Sequence, residues 1–190
     1  MASSELRQEH INLLKVAEQQ FRLACAVHLA VTNGVQSLDV PIEWTFGRHR
    51  VSHSEFALRQ DPAEYSAAAL EHTTTLVIAS TIRDALVNCI QNVKTNSDAN
   101  VVTAYQIARM IRNAFSHQMM APRWSIDKDC KDRKFEIINV ISLDTQNLNE
   151  KIFDWRDYGG SLAIFRVIAH PAVIGPVDAR DWRPPGFIFG

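Results

Sequence analysis

Residues 61–119, DPAEYSAAALEHTTTLVIASTIRDALVNCIQNVKTNSDANVVTAYQIARMIRNAFSHQM, decide the fold, because they read as two helices in succession. The first has the clearest start in the chain. Asp61 offers a capping carboxylate, Pro62 falls at the first helical position, and Glu64 follows three residues after Asp61, as in a capping box. Leu76, Ala79, Ile82, Leu86, Ile90 and Val93 then mark one buried face that runs down to Asn96. A polar turn, Asn96 to Asn100, separates this helix from the next. That helix spans Val101 to Met119 and is closed by Pro122.

Upstream, Leu13, Ala17, Phe21, Ala24, His28 and Val31 recur at steps of three and four. They predict a further long helix from Ser4 to Thr32, with Ser3 or Ser4 as cap and Asn33-Gly34 as its stop. Residues 35–61 show no sustained period but contain Trp44, Phe46, Pro41 and Gly47, which suggests a packed insertion between the first and second helices. After Pro122 the period changes. Trp124–Asp127 and Phe135–Leu143 read as strands flanking the charged turn 127–134, with Leu148–Asp154 as a third short strand. Phe135, Ile137, Val140 and Ile141 do not alternate cleanly, so a bulge or two-sided burial is expected there. Gly159-Gly160 breaks the chain before a short apolar helix, Ser161–His170, and residues 171–190 read as a tail. The expectation is one mainly α domain over residues 1–190, a bundle of long helices with a small β-hairpin appendage at 123–154 after the third helix.

Composition limits the function. The chain has 190 residues, 46% of them hydrophobic and 22% charged, which can form a core without disulfides or structural metal. A net charge of −1 supplies no global attraction to nucleic acid or anionic lipid, so any phosphate chemistry must be local. Cys25, Cys89 and Cys130 are far apart and odd in number, which suits a reducing compartment. A polar, helix-like start and the lack of a long apolar run predict a cytoplasmic protein without a membrane span. There is no phosphate-binding P-loop, dinucleotide fingerprint or G-x-S-x-G elbow.

The residues with chemical potential cluster at the end of the third helix, in Arg112-Asn113-Ala114-Phe115-Ser116-His117. Ile107, Met110, Ile111, Ala114 and Phe115 form its apolar face, with Asn113 and His117 on one border and Arg112 on the other. Arg112 and His117 are about 7.5 Å apart along the axis at 1.5 Å per residue. Two copies of the helix meeting about a two-fold axis would bring them to one phosphate more easily than one copy.

This R-N-x-x-x-H run resembles the R-x(4–6)-H signature of HEPN domains (higher eukaryotes and prokaryotes nucleotide-binding). Pro122-Arg123-Trp124, the trailing hairpin and Phe153 to Gly160 also resemble one bacterial branch of that superfamily, so the likeness covers roughly residues 60–170. It implies an antiparallel bundle of long helices, a homodimer, and a metal-independent endoribonuclease, with a toxin or antiviral role and a possible antitoxin partner. It further implies that His117 acts as general acid or base, Arg112 holds the scissile phosphate, and Asn113 orients one of them. No cofactor or metal is implied. Gln118-Met119 lacks the tyrosine found two residues after the histidine in one toxin branch, so regulation through that tyrosine does not carry over. The alternatives are a non-catalytic module of the same type that binds RNA, nucleotide or a partner, and a purely structural role in which Arg112 pairs with Asp84 or Glu71.

Two weaker patterns remain. His49 and His53 have metal-ligand spacing only on a helix, with Glu71-His72 as further donors. Arg48, His49, Arg50, His53 and Arg59 make the insertion locally basic. His28 and His72 fall on or near apolar stripes and are expected to be hydrogen-bonded core histidines.

Overall fold

The computed structural model describes residues 4–34, 43–52, 62–116, 118–161 and 163–170. Helix α1 runs Ser4–Thr32, α2 Ala63–Cys89, α3 Ala99–Ser116 and α4 Ala163–Ala169. Among the described residues there are also two antiparallel hairpins: β1 (Glu43–Phe46) with β2 (His49–Ser52), and β3 (Lys134–Ile137) with β4 (Ile141–Asp144). The chain is mainly helical, as its periodicity predicts.

In α1 the buried residues are His10, Leu14, Ala17, Phe21 and Ala24, a strict four-three rhythm. Leu13, expected on that stripe, faces solvent instead, and Leu14 takes its place because it continues the rhythm back to His10. Helix α2 is buried along Ala67, Thr74, Thr75, Ile78, Ala79, Ile82, Ala85 and Leu86. It begins one residue beyond Pro62, while Asp61 lies outside the described residues. It ends at Cys89, seven residues before the expected Asn96. Ile90 is extended, and Asn92 takes the left-handed region (φ 52°), which asparagine tolerates better than most residues. Val93 still reaches the core, but from a 3₁₀ turn (Val93–Thr95).

Asp98 starts α3, its Oδ1 accepting the Asn100 N–H at 2.8 Å. The helix is amphipathic but nearly enclosed, with Ala104 to Ala108, Met110, Ile111, Ala114 and Phe115 all buried. It packs on α2 along one side and receives β3 on another. Full burial of these side chains contributes roughly 1.5–3 kcal/mol for each large one, so α3 is the spine of the core.

The region after α3 differs from the sequence reading in an instructive way. The expected single strand Phe135–Leu143 is a complete hairpin: Phe135 pairs with Leu143 and Ile137 with Ile141. The break in alternation at Val140 is the turn itself, with Asn139 at φ 61° and Val140 N–H bonded to Ile137 O at 2.9 Å. Residues 124–127 and 148–154 are not strands. Next to them, Arg123 and Ile152 make one antiparallel bridge, flanked by Trp124 N–H to Lys151 O (2.9 Å) and Phe153 N–H to Pro122 O (3.0 Å). Within the insertion, β1 and β2 form a hairpin where no period was legible. Gly47 at φ 56° opens its two-residue turn, a conformation that favours glycine.

An aromatic layer ties these parts to the bundle. Phe153 lies 4.6 Å from Phe115 and 4.9 Å from Trp124, centroid to centroid. Trp124 is fully buried, its indole N–H donating to Asp157 Oδ2 at 2.7 Å. Phe165 of α4 closes the far side against Phe21 at 5.2 Å. The expected tail, 171–190, lies outside the described residues.

Candidate functional site

The three residues singled out in the sequence do not share one environment. Arg112 is exposed on α3 and has no hydrogen-bond or ion-pair partner among the described residues. Asn113, half-buried, donates from Nδ2 to Asp127 Oδ2 at 3.1 Å. His117 lies outside the described residues. The two carboxylates that offered Arg112 a structural partner are engaged elsewhere. Asp84 pairs with Arg83 at 2.6 Å, and Glu71 pairs with His28 at 2.5 Å.

Three residues N-terminal to Arg112, a second arginine has the opposite fate. Arg109 Nη2 reaches both carboxylate oxygens of Asp129 at 2.9 Å and the Cys130 sulfur at 3.1 Å, while its Nε is 3.4 Å from Asp127 Oδ2. Desolvation pulls the guanidinium pKa down, but the hydrogen bonds to Asp129 and Cys130 outweigh it, and the net shift is upward. The same hydrogen bond holds the Asp129 carboxyl below the usual carboxylate range. Arg109 and Asn113 are four residues apart and share one border of α3, so together they clamp the 127–130 segment to the helix. Sequence reasoning missed Arg109, Asp127 and Asp129 as a unit. The sequence shows an aspartate-rich turn after a helix with Arg109 and Asn113 on one border, but not that the chain folds back to join them.

Glu71 connects the first two helices. Its Oε2 meets His28 Nδ1, and its Oε1 accepts from the Cys25 sulfur at 3.6 Å. Burial first, then the Glu71 charge, pushes the Cys25 thiol up to about 12, so this cysteine is a poor nucleophile at neutral pH. His72 is half-buried, with its ring 5.6 Å from both Phe115 and Trp155. Desolvation lowers its pKa, although a hydrogen bond with the Met119 backbone opposes the shift. Both histidines have the hydrogen-bond partners expected of them, but both are half-buried and neither lies in the core.

His49 belongs to a strand, not a helix. His49 is exposed on β2, and His53 lies outside the described residues, as does Arg59. Among the described residues, no group of three or more His, Cys, Asp or Glu side chains could hold a metal, and no helix is long and apolar enough to cross a membrane.

Beside the end of α3 lies a cavity of about 440 Å³, bordered by Ala114, Gln118, Arg123, Ser125 and Glu150 among others. Arg123 Nη1 donates to the Glu150 main-chain oxygen at 2.9 Å, which fixes the two residues side by side.

The fold and this helix end define a helical bundle with a cationic position and an adjoining cavity. No protein-family model matches the chain, and neither a curated protein nor a solved structure does.

Proposed function

We propose that the chain is a metal-independent endoribonuclease of the HEPN type, acting as a homodimer whose shared cleft is built from the ends of two α3 helices. The observation that carries the reading is the contrast between two arginines on one helix. Arg109 is neutralised by Asp127 and Asp129, whereas Arg112 is exposed and has no partner among the described residues. An unpaired guanidinium is suited to bind a phosphate through bidentate hydrogen bonds.

In this reaction His117, or its copy in the partner subunit, removes the proton from the ribose 2′-hydroxyl. The 2′-oxygen then attacks phosphorus, and the P–O5′ bond breaks. The leaving 5′-oxygen takes up a proton, giving a 2′,3′-cyclic phosphate and a 5′-hydroxyl. Arg112 stabilises the negative charge that grows on the phosphoryl oxygens. A toxin or defence role, with an antitoxin as partner, belongs to the same reading.

A second reading, a non-catalytic module that binds RNA, nucleotide or a protein, is favoured by one observation. The Asn113 amide is already occupied by Asp127, as a structural residue would be.

Incubation of single-stranded RNA with the wild type and with His117→Ala in EDTA tests the proposal. Cleavage by the wild type to cyclic-phosphate ends, reduced about 10²–10⁴-fold in the variant, supports it. RNA binding with no cleavage by the wild type transfers support to the non-catalytic module.

A further inference from the structure

The cavity beside α3 has an unusual charge arrangement. Arg123 and Glu150 both border it, both are exposed, and their charged groups do not pair with one another. The residues are nonetheless held as neighbours. Trp124 O accepts the Glu150 N–H at 2.8 Å, and Arg123 spends one guanidinium nitrogen, Nη1, on the Glu150 main-chain oxygen at 2.9 Å. Glu150 itself adopts φ 66°, a conformation uncommon for a non-glycine residue. The Glu150 carboxylate and the remaining Arg123 nitrogens, Nη2 and Nε, therefore have no partner among the described residues. The side chains of Gln118 and Ser125 add further donors and acceptors to the same cavity.

A ligand that satisfies this pair must present two adjacent donors to the carboxylate and two adjacent acceptors to the guanidinium. Among the four common RNA bases only guanine does both. Its N1–H and N2–H face a carboxylate, and its O6 and N7 face an arginine. Adenine and cytosine each offer a single exocyclic amino donor there, and uracil a single N3–H. At about 440 Å³ the cavity falls within the range of small-ligand sites and has room for a base with its ribose.

We propose that this cavity is a guanine-binding subsite, with Glu150 reading the Watson–Crick edge and Arg123 the O6/N7 edge. The inference deepens the ribonuclease reading and rests on it for its purpose: Ala114, in the last turn of α3, borders the cavity, so the subsite would hold a guanine of the RNA strand whose phosphate Arg112 binds.

The test is titration of the full-length protein with 5′-GMP, 5′-AMP, 5′-CMP and 5′-UMP, followed by calorimetry. The expected result is 5′-GMP binding at least tenfold tighter than the other three, with the preference lost in Glu150→Gln. Gln118→Ala, which leaves both charges in place, should weaken 5′-GMP less than Glu150→Gln does. Equal binding of all four nucleotides, binding of none, or an unchanged preference in a folded Glu150→Gln would overturn the proposal. The assay contains no RNA to cut, so the two readings fail separately. Guanine selectivity without cleavage supports the subsite and counts against the nuclease. Cleavage with no guanine preference at the cut overturns the subsite and leaves the nuclease in place.

Discussion

Asn113 Nδ2 donates to Asp127 Oδ2 at 3.1 Å and so ties the last turn of α3 to the segment that follows the helix. With Arg109 one turn earlier, it makes the position of that segment a property of the helix surface. The end of α3 and the segment after it are therefore held together by contacts on one border of the helix.

That relationship predicts coupling between the two residues. Asn113→Ala and Asp127→Ala should each lower stability by about 1 kcal/mol, and the double variant should lose less than the sum. Denaturant unfolding of the four proteins measures it. Strictly additive losses would show that the contact carries no energy.

The Arg109–Asp129 pair predicts an acid-dependent loss. Asp129 titrates lower in the fold than its ordinary value of 3.8, because it accepts hydrogen bonds from Arg109. A carboxyl with a depressed folded pKa contributes stability above its unfolded value, and that contribution disappears as pH falls through the folded value. Melting temperature should thus drop more steeply below pH 4 in the wild type than in Arg109→Met. The variant should also be less stable at pH 7, by up to about 1 kcal/mol, because the Asp129 carboxylate is more than half exposed and water screens the pair. Parallel melting curves from pH 2.5 to 7 would contradict the assignment.

His72 predicts a second pH effect of different origin. Desolvation holds its folded pKa below the unfolded value of 6.5, so the unfolded chain binds more protons between the two. Stability should fall as pH drops below about 6.5, toward the lower folded value. His72→Gln should flatten the slope in that window while leaving the one below pH 4. Unfolding free energies at pH 5.5 and 7.5 decide it, and an equal slope in the variant would reject the role of His72.

The long helices were legible because each buries a wide stripe, and a stripe sustained over about five to eight turns outweighs single misleading residues such as Leu13. The hairpins were less legible. Four-residue strands carry too few side chains for a period, and the turn at Ile138-Asn139-Val140 interrupts an apolar run without proline or glycine. The end of α2 was missed because Ile90 and Val93 keep the helical spacing while the backbone leaves the helix between them. Of the site, Arg112 and Asn113 were legible as polar residues bordering an apolar face. The Asp127 and Asp129 contacts were not, since they depend on where the chain turns after Pro122. The charge pair at the cavity, Arg123 with Glu150, joins residues 27 apart and arises from the bridge between Arg123 and Ile152.

The central claim is that Arg112 serves phosphate chemistry and Arg109 serves the fold. Its most direct test is the rate of RNA cleavage in EDTA by the wild type and Arg112→Ala, with thermal unfolding of both proteins measured alongside. The account predicts cleavage by the wild type, a loss of about 10²–10³-fold in the variant, and a melting temperature unchanged by the substitution of an exposed, unpaired side chain. Cleavage by Arg112→Ala at the wild-type rate, or no cleavage by the wild type, would contradict it.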